Sequence, residues 1–185
     1  TLYLILPYTA QMGGRVDHAI PAAMLIWAIV FYRRPLVSGT ILGFSACIYY
    51  PLFLLPLWLS FYSQRGLLRF LSGVITSLAL LVLLLFLSAA TEELFVADLR
   101  RMFGLMMPRM GELQGIWMLG WDPDFRLPVM TAFFALSATL ALWPAQKNLG
   151  TLMSCSAAIL VATRFWNGNG GGLYMGWYLP LILVT

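Results

Sequence analysis

Residues 67–90, LLRFLSGVITSLALLVLLLFLSAA, carry one charge, Arg69, and no proline. A helix that crosses a bilayer needs about 20 consecutive apolar residues, and this run supplies them. In water the rest of the chain would have to bury such a segment on every side. It has few polar residues to do that with: 61% of the 185 residues are hydrophobic, 10% are charged, and the mean hydropathy is +0.86. Soluble domains carry about 25% charged residues. In hydrocarbon a helix satisfies its own backbone polar groups. The expectation is therefore an all-α integral membrane protein.

Further apolar runs lie at 19–32, 36–62, 127–145, 149–163 and from Leu173 onward. The first is closed by Arg33-Arg34-Pro35, which sets a basic pair at the negative end of the helix dipole. Pro21 is expected in its first turn, where a missing N–H does no harm. The run 36–62 is interrupted at Tyr49-Tyr50-Pro51 and again at Pro56. Prolines break helical hydrogen bonding, so this run is either one kinked span or a hairpin of two half-helices. The hairpin fits the positive-inside tendency better, because Arg33, Arg34, Arg65 and Arg69 then share one face. Trp and Tyr gather near the ends of the runs, as in an aromatic belt.

Residues 91–126 differ. Glu92, Glu93, Asp98, Glu112, Asp122 and Asp124 fall here, with Arg100, Arg101, Arg109 and Arg126. Phe95, Leu99, Met102, Phe103 and Met106 recur at helical spacing, with Thr91 placed to cap the N-terminus. Such a pattern predicts an amphipathic helix lying in the membrane interface and ending at Pro108. The expected architecture is a polytopic bundle of about 5–7 spanning or half-spanning helices plus this interfacial helix. Residues 1–185 form a single transmembrane domain, with 91–126 as its interfacial loop. Thr1 is not an initiator Met, and the chain stops inside WYLPLILVT, so a segment of a longer protein is expected.

Several residues are candidates for chemistry. Arg15, Asp17 and His18 stand together at the mouth of the first run, and His18 is the only histidine. Ionisable groups at membrane depth are functional candidates because desolvating them is costly. The competing reading is a polar helix start in which Asp17 faces the dipole. One histidine without ligating neighbours at the right spacing does not make a zinc site. Asp122 and Asp124, in WDPDF, can hold a divalent cation or simply form a polar turn. Arg100 and Arg101 can contact lipid phosphates or snorkel. NGNGGG, at 167–172, follows no strand and is not a dinucleotide fingerprint; it reads as a loop beside Arg164 and Trp166. Cys47 and Cys155, both in apolar runs, read as small packed residues. No basic stripe with interleaved aromatics points to nucleic acid.

The order of these pieces resembles a known family. A polar-capped span, RRPLVSGTILGF, the aromatic-proline break YYPLFLLPLW and a basic turn before another span are similar to membrane glycosyltransferases of the GT-C superfamily. The likeness is to the polyprenyl-phosphate-sugar-dependent, mannosyltransferase-like and arabinosyltransferase-like branch. It rests on Gly39, Gly43 and Pro51 and on the stretch Phe165–Leu181, and covers residues 10–75 and 160–181. The family has a lysine before the proline where Tyr49-Tyr50 stand here. Its catalytic acid belongs to a loop that would precede Thr1, which leaves Asp17 as a candidate by proximity.

The resemblance implies sugar transfer from a polyprenyl-phosphate donor at the membrane surface. Asp17 would be the catalytic residue, and Arg15, His18, Arg100, Arg101, Arg164 and Trp166 would contact substrate. No cofactor and no metal are expected, with Asp122 and Asp124 the candidates should a divalent cation bind. Expected partners are membrane lipids, the lipid-linked sugar and other membrane subunits, with no nucleic acid. The expected location is a bacterial inner (plasma) membrane. The alternative is a non-catalytic integral subunit with a structural role in a larger membrane complex. A transporter ranks last, since the chain has no internal repeat.

Overall fold

The structure is a computed structural model that describes residues 16–48, 50–103, 115–166 and 175–184, with side chains omitted at 16, 17, 101, 115, 116, 123 and 184. The regular elements among them are all helical. They are α1 (Val16–Val30), α2 (Pro35–Ser45), a 3₁₀ turn (Tyr50–Leu54), α3 (Leu55–Tyr62), α4 (Leu67–Ser88), α5 (Glu92–Met102), short 3₁₀ turns at Gly115–Leu119 and Pro123–Phe125, α6 (Arg126–Leu142), α7 (Leu149–Trp166) and α8 (Met175–Val184). Two of the described helices, α4 and α7, are long and apolar enough to cross a membrane.

The boundaries follow local chemistry. Pro35 sits at the start of α2 and Pro56 in the first turn of α3, where their missing N–H groups have no helical acceptor to lose. Gly66 precedes α4 with φ +97°, and a Cβ there would come within 3.2 Å of the Pro35 ring. Glycine alone takes that conformation readily. Thr91 caps α5 through Leu94 N–H to its Oγ1 at 3.3 Å, with Glu92 and Glu93 in the first turn, as its sequence predicts. Pro21 departs from expectation. Helix α1 already includes Val16, so Pro21 lies inside it rather than in its first turn. The proline removes the N–H that would otherwise bond the Asp17 carbonyl.

Residues 35–62 form the hairpin. Helix α2 leads away from the end of α1, the 3₁₀ turn reverses the chain, and α3 returns. The Tyr62 hydroxyl donates to the Tyr32 carbonyl at 2.8 Å, closing the loop where α2 began. Pro35 and Gly66 then bring α4 in beside α2, and the two helices run parallel.

Their contact is the tightest in the bundle. Gly39 faces the Phe70 carbonyl, Gly43 faces Ser77 and Val74, and Gly73 faces Leu36 and Thr40. A Cβ at Gly73 would sit 2.7 Å from the Thr40 nitrogen, and one at Gly43 2.9 Å from the Val74 oxygen. This is a GxxxG seam, in which small residues let two helix backbones approach. Around it Tyr62 stacks on Phe70 at 4.5 Å between centroids, and buried Trp58 donates to Ser156 Oγ on α7 at 3.1 Å. Helix α4, about 33 Å long at 1.5 Å per residue, runs on beyond the end of α2. There Leu83, Leu84, Phe86 and Leu87 are exposed and Phe86 meets Phe95 of α5 edge to face.

The helices share two ends. One holds the turns 31–34, 63–66 and 143–148. The other holds the start of α1, the 3₁₀ turn at Tyr50, the start of α6, the end of α7 and the start of α8.

Candidate functional site

The second end gathers an aromatic and cationic cluster from four elements. His18 of α1 is buried, and its Nδ1 accepts from Trp177 Nε1 of α8 at 3.4 Å. An accepting Nδ1 places the neutral ring's proton on Nε2. The two rings meet edge to face at 6.5 Å. Tyr50, buried in the 3₁₀ turn, lies against Trp177 at 6.0 Å. The Tyr50 hydroxyl accepts from Arg164 Nη1 of α7 at 3.2 Å. Arg164 is half-buried.

A second layer fixes the end of α7. Arg126 is buried and donates from Nε and Nη2 to the Trp166 carbonyl at 3.1 and 3.0 Å. Trp117 Nε1 donates to the Phe165 carbonyl at 3.0 Å, with the Arg126 guanidinium 5.9 Å from the Trp117 ring centre. The last carbonyls of a helix lack intrahelical donors. Two side chains from outside α7 supply them, which locks the helix end that carries Arg164. The Trp166 ring packs between Phe53 and Phe133, at 5.6 and 5.5 Å. Its Nε1 is buried and has no hydrogen-bond partner among the described residues.

Of the sequence candidates, His18 and Arg164 come together here, and Trp166 lies in the layer behind them, its ring on Phe53 and Phe133. Asp17 precedes His18 in the first turn of α1; its side chain and all of Arg15 lie outside the described residues. Arg100 is exposed on α5, which packs mainly on α4 rather than on the cluster, and the Arg101 side chain is not among those described. Asp122 Oδ1 accepts from the Asp124 backbone N–H at 2.9 Å, the geometry of an Asx turn. Among the described residues no group of three or more His, Cys, Asp or Glu side chains comes together to hold a metal ion. NGNGGG, Arg109 and Glu112 fall outside the described residues.

Tyr50, Trp117, Arg126 and Trp177 are the members that sequence reasoning passed over. Tyr50 read as part of a helix break and Trp177 as an interface aromatic. Nothing local to either residue reports a partner more than a hundred positions away.

No protein-family model, no curated protein and no solved structure matches this chain.

Proposed function

We propose that this chain is the membrane part of a glycosyltransferase that takes its sugar from a polyprenyl-phosphate donor at the surface of a bacterial inner membrane. The observation that carries the reading is the Arg164–Tyr50–Trp177–His18 chain at one end of an apolar bundle, one residue from Asp17. A guanidinium at that depth suits a phosphate, because its forked donors match phosphate oxygens and the surrounding aromatics thin out competing water.

In this reading an acceptor hydroxyl attacks the anomeric carbon of the donor. The bond from that carbon to the phosphate oxygen breaks, and the phosphate leaves with the electron pair. Asp17 takes the hydroxyl proton. Arg164 steadies the charge on the departing phosphate. Trp166 and His18 hold the walls of the site.

A structural role in a larger membrane complex is the second reading. The open groove of about 620 Å³ along α4 and α5, lined by Ile75, Leu78, Val82, Phe86 and Phe95, favours it, since apolar grooves of this kind accept a neighbouring helix. Sugar transfer from a polyprenyl-phosphate donor by the full-length protein separates the two.

A further inference from the structure

The end opposite the cluster carries its own pattern. Arg33 and Arg34 follow α1, and Arg65 and Arg69 flank the start of α4; all four are exposed. The Pro35 and Gly66 contact sets these two turns side by side. Arg33 Nε donates to the Tyr32 hydroxyl at 3.0 Å, which raises its pKa above the ordinary guanidinium value, and Arg65 lies 4.5 Å from the Phe61 ring centre. Lys147 reaches the same end, buried, donating to the Ala141 and Pro144 carbonyls at 2.8 Å and to Ser60 Oγ at 3.0 Å. The acids are elsewhere. Asp17, Asp122 and Asp124 belong to the cluster end, as do Glu92, Glu93 and Asp98 of α5, which follows the far end of α4. Among the described residues the arginine end therefore carries cations and no acid.

We infer that these four arginines form a seat for anionic phospholipid headgroups, and that this end faces the cytoplasm. The inference rests on the membrane reading of the bundle and not on the enzyme reading. Arginines side by side at the rim of an apolar bundle, with no carboxylate among the described residues to neutralise them, attract the anionic headgroups of the cytoplasmic leaflet. The excess of Lys and Arg in short loops sets orientation in the same sense. Tyr32 and Phe61 hold two of the guanidinium groups at this rim. Across the bundle the Arg164–His18 cluster then faces away from the cytoplasm.

The test uses the full-length protein in phosphatidylcholine vesicles with and without phosphatidylglycerol, and compares spin-labelled forms of the two lipids at the protein boundary. Phosphatidylglycerol is expected to be preferred. Arg34→Gln should lower that preference about fivefold, and Arg34→Gln/Arg69→Gln further, given the attraction of each surface arginine for anionic lipid. Equal association of both lipids, or an unchanged preference in the double variant, overturns the seat. Orientation has a separate readout that needs no arginine variant. With Cys47 and Cys155 replaced by serine, Ser63→Cys should react with an impermeant thiol reagent in inverted vesicles and not in intact cells. Reaction in intact cells overturns the orientation. A protein with this lipid preference but no sugar transfer would refute the enzyme reading alone.

Discussion

The Arg126 guanidinium donates from Nε and Nη2 to the single carbonyl of Trp166, so the first residue of α6 caps the last residue of α7. A cation at a helix C-terminus also opposes the dipole. The joint fixes the position of Arg164, one half-turn earlier on α7, and so of everything that Arg164 touches.

Arg126→Leu removes both bonds and leaves a buried carbonyl without its donors. The expected loss is about 2–3 kcal/mol, the range for hydrogen bonds to charged groups. Arg126→Lys keeps the charge but not the fork, and should lose less. Thermal unfolding in detergent measures both, and an Arg126→Leu protein as stable as wild type would refute the capping role.

The α2–α4 seam gives a graded prediction. A methyl at Gly39 meets the Phe70 backbone carbonyl, which cannot move alone; a methyl at Gly43 first meets the Ser77 side chain. Gly39→Ala should therefore destabilise by about 3 kcal/mol, the upper range for overpacking. Gly43→Ala should be partly rescued by Ser77→Ala, which removes the obstructing oxygen. Denaturation midpoints of the three proteins check the order, and equal tolerance at Gly39 and Gly43 would contradict the seam.

Lys147 is buried on three oxygen acceptors, and two of them are the carbonyls of Ala141, in the last turn of α6, and of Pro144 in the loop that follows. Lys147→Met matches its length but strands those acceptors, and should destabilise by about 2 kcal/mol or more. Hydrogen exchange should rise at 141–148 before it rises in α4. Uniform exchange across both regions would mean that Lys147 does not hold this turn.

Tyr62→Phe removes only the hydroxyl that closes the hairpin onto Tyr32. The stack on Phe70 remains, so the expected loss is about 1 kcal/mol, one hydrogen bond. A calorimetric scan in detergent is sufficient to detect it.

Much of the fold was legible because apolar runs and prolines act locally. The run 67–90 became Leu67–Ser88, 127–145 became Arg126–Leu142, and Tyr50-Pro51 marked the reversal of the hairpin. Thr91 announced the start of α5 by the same local chemistry. What could not be read was pairing across the chain. Gly39 and Gly43 drew notice as part of a resemblance, yet their spacing also specifies contact with α4, and only the partner Gly73 reveals it. His18 read as one of a polar trio with Arg15 and Asp17, and nothing in that trio announces the bond its Nδ1 accepts from Trp177, at the other end of the sequence. Trp166 and Arg164, two residues apart, take different roles because a helix turns them to different neighbours.

The central claim is that the Arg164–Tyr50–Trp177–His18 cluster handles a lipid-linked sugar phosphate. The direct measurement is transfer of a radiolabelled sugar from polyprenyl phosphate by membranes containing the full-length protein, beside Arg164→Ala, Tyr50→Phe and Asp17→Asn. Transfer by wild type, a loss of at least about a hundredfold in Arg164→Ala and Asp17→Asn, in line with one lost electrostatic or proton-transfer contact, and a smaller loss in Tyr50→Phe are predicted. No transfer by wild type, or wild-type rates in Arg164→Ala and Asp17→Asn, would contradict it.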